Sequence, residues 1–246
     1  MVEQCMRIEI WSDVVCPWCY IGKRRLETAL GGTGHGDDIE VVYRSFQLDP
    51  AAPRVPEQTV AESLGAKYGG GPEAGQQMVE RVEAVAAEEG LLFRLGEAKR
   101  VNTIDAHRLL HLALAQGGPA LQGTLKEELL AAYFLRAENV ADHDLLRRTA
   151  EKAGLDTDRV EQVLASDEYA EAVEADIREA AGLGATGVPF FVIDRKYGVS
   201  GAQPAEAFVQ VLERAWSEAH PPLQHVGHQH VGQQDGEVCG PDGCAI

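Results

Sequence analysis

Two cysteines three positions apart carry the strongest chemical signal in the chain: Cys16 and Cys19, within Asp13-Val14-Val15-Cys16-Pro17-Trp18-Cys19-Tyr20. Residues i and i+3 share a helix face roughly 5 to 6 Å apart, inside the Cα separation a disulfide accepts, so this pair can close and open a bridge without moving the backbone. Pro17 suits a first helical position because its missing N–H would be unpaired there. That puts Cys16 at the helix N-terminus, facing backbone donors and the positive end of the dipole. Its thiolate should be favoured, and helix-start cysteines of this kind titrate anywhere from about 3.5 to 7.5. Cys19, one turn further in, should be less exposed and act as the resolving thiol. The competing reading is a zinc half-site or two core cysteines, but zinc would ordinarily want a second ligand pair at fixed spacing, and none lies nearby.

The elements that must position this pair are legible on either side of it. Arg7 to Trp11 alternates and predicts a strand, and Cys16 to about Leu30 predicts a helix. Gly31 to Gly36 reads as loop, and Ile39 to Phe46 is β-branched and aromatic, predicting a second strand parallel to the first. From Glu57 to Gly182 the sequence turns alanine-rich, charged and helix-periodic. Helices are expected at Glu57 to Tyr68, Glu73 to Glu89, Thr103 to Gln116, Leu121 to Arg136, Asp142 to Ala153, Asp158 to Leu164 and Glu168 to Ala181. Asn102 reads as a cap for one of these helices, and His107 as a histidine that could face the active site, although a lone helical histidine is more often structural or solvated. Strand character returns in the apolar run that follows Thr186-Gly187-Val188-Pro189, and Tyr197 to Gly201 predicts an antiparallel edge strand. A last amphipathic helix opens at Gln203-Pro204 and ends near Ala219.

The order is therefore β-α-β, a helical insert, then β-β-α, an α/β fold whose sheet is split across both ends of the chain. We expect a discontinuous sheet domain from 1–56 and 183–219, a helical insertion domain at 57–182, and a flexible tail at 220–246. At 246 residues the chain can bury a sizeable core. Its formal charge of -17 disfavours nucleic acid and anionic membranes as partners. The first strand starts early without a secretory leader, and no run approaches the roughly 18 apolar residues of a membrane span, so a cytoplasmic protein is expected. Five cysteines in a chain of this length do not make a disulfide scaffold, and a Cys-x-x-Cys in a reducing compartment reads as catalytic. Cys5 reads as an unpaired thiol near a terminus.

Taken together, Cys16-Pro17-Trp18-Cys19, the helical insert and Thr186-Gly187-Val188-Pro189 entering an apolar strand resemble the DsbA branch of the thioredoxin superfamily over about residues 7 to 217. Arg44-x-Phe46-x-Leu48-x-Pro50, Asn102-Thr103-x-Asp105-Ala106-His107 and Ser200-Gly201-Ala202-Gln203 are most similar to its FrnE-type group, which has relatives described as 2-hydroxychromene-2-carboxylate isomerases. The resemblance implies a thioredoxin-like fold and a protein disulfide oxidoreductase or isomerase that needs no cofactor and acts on disulfide-bearing proteins. It implies a cis Pro189 packed against the cysteines, a Val188 backbone that pairs with an extended substrate segment, and Pro17-Trp18, the tuning pair between the thiols, as further substrate-binding residues.

The tail offers a second dithiol. Gly240-Pro241-Asp242-Gly243 suits a type I turn that brings Cys239 and Cys244 close enough to bridge, and about 20 flexible residues reach roughly 25 Å, enough to touch Cys16. Some FrnE-type proteins carry such a tail. The same stretch could instead hold zinc through some of His225, His228, His230, Cys239 and Cys244, or be an inert extension. Two rival functions stand beside the disulfide enzyme: a glutathione-dependent small-molecule isomerase, and a non-enzymatic zinc- or redox-responsive binding protein.

Overall fold

The computed structural model describes residues 6–221. Strand β1 (Met6–Ser12) leads through a short loop into α1 (Pro17–Gly32), and a single 3-10 turn at Gly36–Asp38 precedes β2 (Ile39–Ser45). Six helices follow: α2 (Val60–Tyr68), α3 (Gly71–Glu88), α4 (Ile104–Arg136), α5 (His143–Ala153), α6 (Thr157–Leu164) and α7 (Ala170–Gly182). The chain then returns through β3 (Phe190–Ile193), β4 (Tyr197–Ser200) and α8 (Ala205–Ala219). Among the described residues no helix is long and apolar enough to cross a membrane.

The two ends of the described chain build one four-stranded sheet in the order β2-β1-β3-β4. β1 runs parallel to β2 from Met6 opposite Ile39 to Ser12 opposite Ser45, and antiparallel to β3 with Ile10 opposite Phe191. β4 closes the sheet antiparallel to β3, as the edge strand expected from the sequence. Central β1 is buried along almost its whole length because both faces are covered. Met6, Ile8 and Ile10 pack with Leu26 and Ala29 of α1 and with Phe208 and Leu212 of α8. On the opposite face Trp11 packs with Phe190, Val192 and Ala180 of α7. Glu9, the one charged residue β1 buries, is satisfied by Arg44 and Arg195.

The largest core belongs to the helical layer, yet it takes in Val14, Tyr20 and Ile21 from the segment that carries the two thiols. Tyr20 stacks on Phe93 at 5.8 Å, and Phe93 stacks on Phe134 at 4.6 Å. The inserted helices thus grip the start of α1 from the side opposite the sheet core.

Local chemistry moves several predicted boundaries. α2 starts at Val60 because Thr59 and Glu62 form a reciprocal capping box, and α5 and α6 start one residue after the capping carboxylates Asp142 and Asp156. Gly31 and Gly32, expected as loop, complete the last turn of α1. The two helices expected at 103–116 and 121–136 are two arms of α4, separated by non-helical Gly117 and Gly118. Gly118 has φ 67°, a left-handed conformation that a residue with a Cβ adopts only at a cost, so the break is written in the glycine. Asn102 does cap α4, from one position earlier than the N-cap: its Oδ1 accepts from Ile104 N at 2.9 Å.

Candidate active site

Cys16 is the N-cap of α1 and Pro17 its first residue, the arrangement predicted from the spacing. The turn is closed by Cys19 N–H donating to the Cys16 carbonyl at 3.0 Å. Both cysteines are free and both are buried, at 3% and 4% exposure, so the expected contrast between an open Cys16 and a sheltered Cys19 is absent. Trp18, between them in sequence, is 41% exposed, and Leu48 stands out beside the same loop at 47%.

The Val188–Pro189 peptide is cis, as the resemblance implied. It brings the Val188 carbonyl to 3.5 Å from Cys16 Sγ, so the Cys16 thiol donates to the backbone atom just before the proline. Pro189 in turn accepts from Gly201 N–H at 2.8 Å, and Arg25 Nη1 donates to the Ala202 carbonyl at 2.6 Å, which ties the Ser200–Gln203 motif to α1. Gly22 lets α1 come this close: a Cβ there would lie 3.1 Å from Pro189 Cγ and 3.2 Å from Phe191 Cζ.

Beneath the thiols lies a buried polar cluster that the sequence signalled only in part. Asp13, 1% exposed, accepts from Leu48 N–H at 2.8 Å through one oxygen and pairs with His107 Nε2 at 3.1 Å through the other. Burial pushes the Asp13 carboxyl up, but the hydrogen bond and charge of His107, the Leu48 N–H and the Lys126 charge outweigh it and hold the group below the ordinary carboxylate range. Burial pushes His107 down more than Asp13 lifts it, so the ring is neutral. With an anionic acceptor at Nε2, that nitrogen carries the proton, and Nδ1 is a buried acceptor with no partner among the described residues. His107 therefore faces the thiol loop through Asp13 rather than touching sulfur.

Lys126, on the second arm of α4, is 1% exposed, and its Nζ donates to the Ser12 carbonyl at 3.4 Å. Its signal was available: Gln122, Leu125, Lys126, Leu129, Leu130 and Tyr133 form one helical stripe, all buried, in which Lys126 is the only ionised member. Asp105, from the same motif as His107, is buried and held by Arg54 at 2.7 Å, Arg108 at 2.9 Å and His143 at 2.8 Å. That cluster anchors the start of α4 to the 46–54 loop, which Asn102 also grips through the Pro50 and Ala52 carbonyls.

The two sulfurs lie in different surroundings and share a hydrogen bond. The hydrogen bond to Cys19, burial and the Asp13 charge raise the Cys16 thiol well above its ordinary range. Burial raises Cys19 too, but the Cys16 thiol, the Lys126 charge, the Ser12 hydroxyl and the Asp13 backbone together pull it down. The two thiols ionise as a pair, so the first proton lost belongs to both sulfurs. Lys126, delivered by a helix more than a hundred residues downstream, favours ionisation of the pair, and reasoning within residues 16–19 could not place it.

Cys5, His225, His228, His230, Cys239 and Cys244 lie outside the described residues. Among the described residues no group of three or more His, Cys, Asp or Glu side chains is arranged to hold a metal ion.

Comparison with known proteins agrees with this geometry. The chain is 48% identical to a probable DsbA oxidoreductase from Streptomyces coelicolor, with a TM-score of 0.81 over 98% of this chain and 99% of that one. It is 25% identical over 212 residues to the uncharacterised Bacillus subtilis protein YwbO, spanning 84% of this chain and 96% of that protein. A 2-hydroxychromene-2-carboxylate isomerase shares the fold at 14% identity, with a TM-score of 0.64 over 86% of this chain and 97% of its own. Residues 7–213 match the DSBA-like thioredoxin domain, and the chain belongs to that family of thiol-disulfide oxidoreductases.

Proposed function

We propose that the protein reduces or isomerises disulfides in protein substrates through Cys16 and Cys19. The observation that carries this reading is the contact between the Cys16 thiol and the Val188 carbonyl. A substrate strand laid along Val188 would bring its disulfide to Cys16 and would compete for the same carbonyl. Exposed Trp18 and Leu48 flank that approach, with Pro17 beside them.

In the forward step the Cys16 thiolate attacks one substrate sulfur, the substrate disulfide breaks, and the other substrate sulfur leaves as a thiolate. Cys19 then gives up its proton to the departing sulfur and attacks Cys16 Sγ, which cleaves the mixed disulfide. The two electrons go to the substrate, which leaves as a dithiol, one of its protons coming from Cys19 and one from water. The enzyme is left with a Cys16–Cys19 disulfide, which a cellular thiol such as glutathione can reduce. Cytoplasmic action suits this direction, because a reducing thiol pool keeps the pair loaded with electrons. Cys239 and Cys244 would serve as a second dithiol that exchanges with the first.

The test is Cys19→Ser. A disulfide enzyme loses turnover and accumulates a mixed disulfide between Cys16 and substrate, visible by mass spectrometry. A glutathione-dependent small-molecule isomerase, the alternative suggested by the relatives, would keep its activity without the second thiol. Retained turnover with no trapped adduct would therefore overturn the proposal.

A further inference from the structure

Helix α1 and the second arm of α4 wall a groove of about 500 Å³ whose lining includes Val41 and Tyr43 of β2. β2 is an edge of the sheet, and an edge strand presents backbone donors and acceptors to whatever lies beside it. Strand residues turn their N–H and C=O groups to alternate sides, so Ile39, Val41, Tyr43 and Ser45 share the side that faces away from β1. Gln122 meets Tyr43 there as a paired strand would: Oε1 accepts from Tyr43 N–H at 2.8 Å, and Nε2 donates to the Tyr43 carbonyl at 2.9 Å. Ser45 N–H donates to Asp176 Oδ2 at 2.8 Å, and Ile39 N–H donates to the Gly36 carbonyl. Val41 is left over. Neither its N–H nor its carbonyl has a partner among the described residues. The arm of α4 beside it opens with Pro119 and Ala120, whose side chains can neither donate nor accept, so the ladder that Gln122 continues stops there.

The groove decides what can take that place. A second copy would present helix walls to these helix walls, with its own β2 equally recessed, whereas a single extended chain can enter. Leu26 and Leu30 line the groove from α1 and call for an apolar side chain. Charge at the rim is unequal. The Lys23 side chain is 9% exposed and closed in by Glu27 and Glu127, but those carboxylates are 46% and 31% exposed, and Glu128 is 21% exposed. What arrives from solvent therefore meets carboxylates, which a lysine or arginine complements.

We propose that this groove docks an extended segment of another polypeptide, apolar in its middle and basic at its ends, which adds a short strand to the sheet at Val41. Backbone hydrogen bonds to Val41 would hold the segment in register and the rim would select its charge. The inference stands apart from the disulfide-exchange reading, because such a segment needs no cysteine and meets α1 beyond the thiols, at Lys23 to Leu30.

The experiment titrates the full-length protein with the cysteine-free peptide acetyl-Lys-Thr-Val-Thr-Val-Lys-amide and with its counterpart carrying glutamate at both ends. Calorimetry reads affinity, and the Val41 amide resonance reads position. The lysine peptide should bind at least about tenfold tighter than the glutamate peptide. Gly123 lines the groove and has nothing within 4 Å of where a Cβ would lie, so Gly123→Leu should fill the space and weaken binding at least about tenfold. Val41→Pro removes only an outward donor and should cost about fivefold, the worth of one backbone hydrogen bond. Glu27→Gln with Glu128→Gln should bring the two peptides to similar affinity. Equal binding of both peptides to the wild type, or unchanged binding to Gly123→Leu, would overturn the proposal. Should the variants fail to fold, hydrogen exchange of the wild type decides: the Val41 amide should exchange quickly in the free protein and slowly with the lysine peptide bound. A Val41 amide already protected in dilute free protein would mean that the chain fills its own groove, and one whose resonance shifts with protein concentration would mean a second copy; either result would overturn the proposal.

Discussion

His107 illustrates how one buried side chain carries both stability and chemistry. It is fully buried, neutral, and donates from Nε2 to a carboxylate that braces the thiol loop. Because burial depresses its ionisation, the folded protein leaves the ring unprotonated at a pH where the unfolded chain, titrating near the usual value of about 6.5, takes up a proton. Its stabilising contribution is therefore complete above about pH 6.5 and falls as the pH drops below it, by at most about 1.4 kcal/mol per pH unit. Asp13 is shifted down, so its contribution is lost only at still lower pH, below the ordinary carboxylate range. His107→Gln keeps a donor toward Asp13 without a titrating ring. Urea unfolding of both proteins at pH 7.5 and 5.5 should show the wild type losing more stability than the variant, whereas parallel losses would mean that His107 carries no such linkage.

Among the elements, the contact between α1 and the cis-proline loop sets the geometry of the site. Gly22 sits where a Cβ would press on Pro189, Phe191 and, at 3.4 Å, Ala202. Gly123, in the second arm of α4, has nothing within 4 Å of the same construction. Gly22→Ala should destabilise the protein by about 1 to 3 kcal/mol through overpacking and slow thiol exchange by tilting α1 away from Val188. Gly123→Ala should be neutral or stabilise by up to about 1 kcal/mol, since it costs no contact and removes backbone freedom from the unfolded chain. Thermal unfolding of the pair, with insulin reduction as the activity readout, checks both, and equal responses would show that the helix–loop approach is not what Gly22 protects. This level of organisation was largely readable in advance. Proline at the helix start, glycine clusters at the breaks and β-branched runs act locally, so α1, β2, β3, β4 and the two arms of α4 emerge from the sequence with small boundary shifts. What local patterns could not supply was the meeting of distant residues. Asp13 stood in the opening stretch without a partner, and His107 stood as a helical histidine until the fold joined the two.

At the scale of the whole molecule, the helical insert is part of the candidate site. Its core takes in Val14, Tyr20 and Ile21, and it supplies His107 and Lys126 to the floor beneath the thiols. Lys126 favours ionisation of the cysteine pair, and no window around Cys16 contains it. The turn before β3 holds Val188 against Cys16, while the insert sets His107 on Asp13 and Lys126 on the Ser12 carbonyl, so the candidate site needs both halves assembled. The central claim is that these two thiols form one reversible two-electron couple. Wild-type protein equilibrated across a series of glutathione redox buffers, quenched in acid and mapped by mass spectrometry reads it directly. The account predicts a single transition in which the peptide carrying Cys16 and Cys19 gains an internal disulfide and loses it again on return to reducing buffer. A peptide that stays reduced, or that gathers only glutathione on separate cysteines at every ratio, would contradict it.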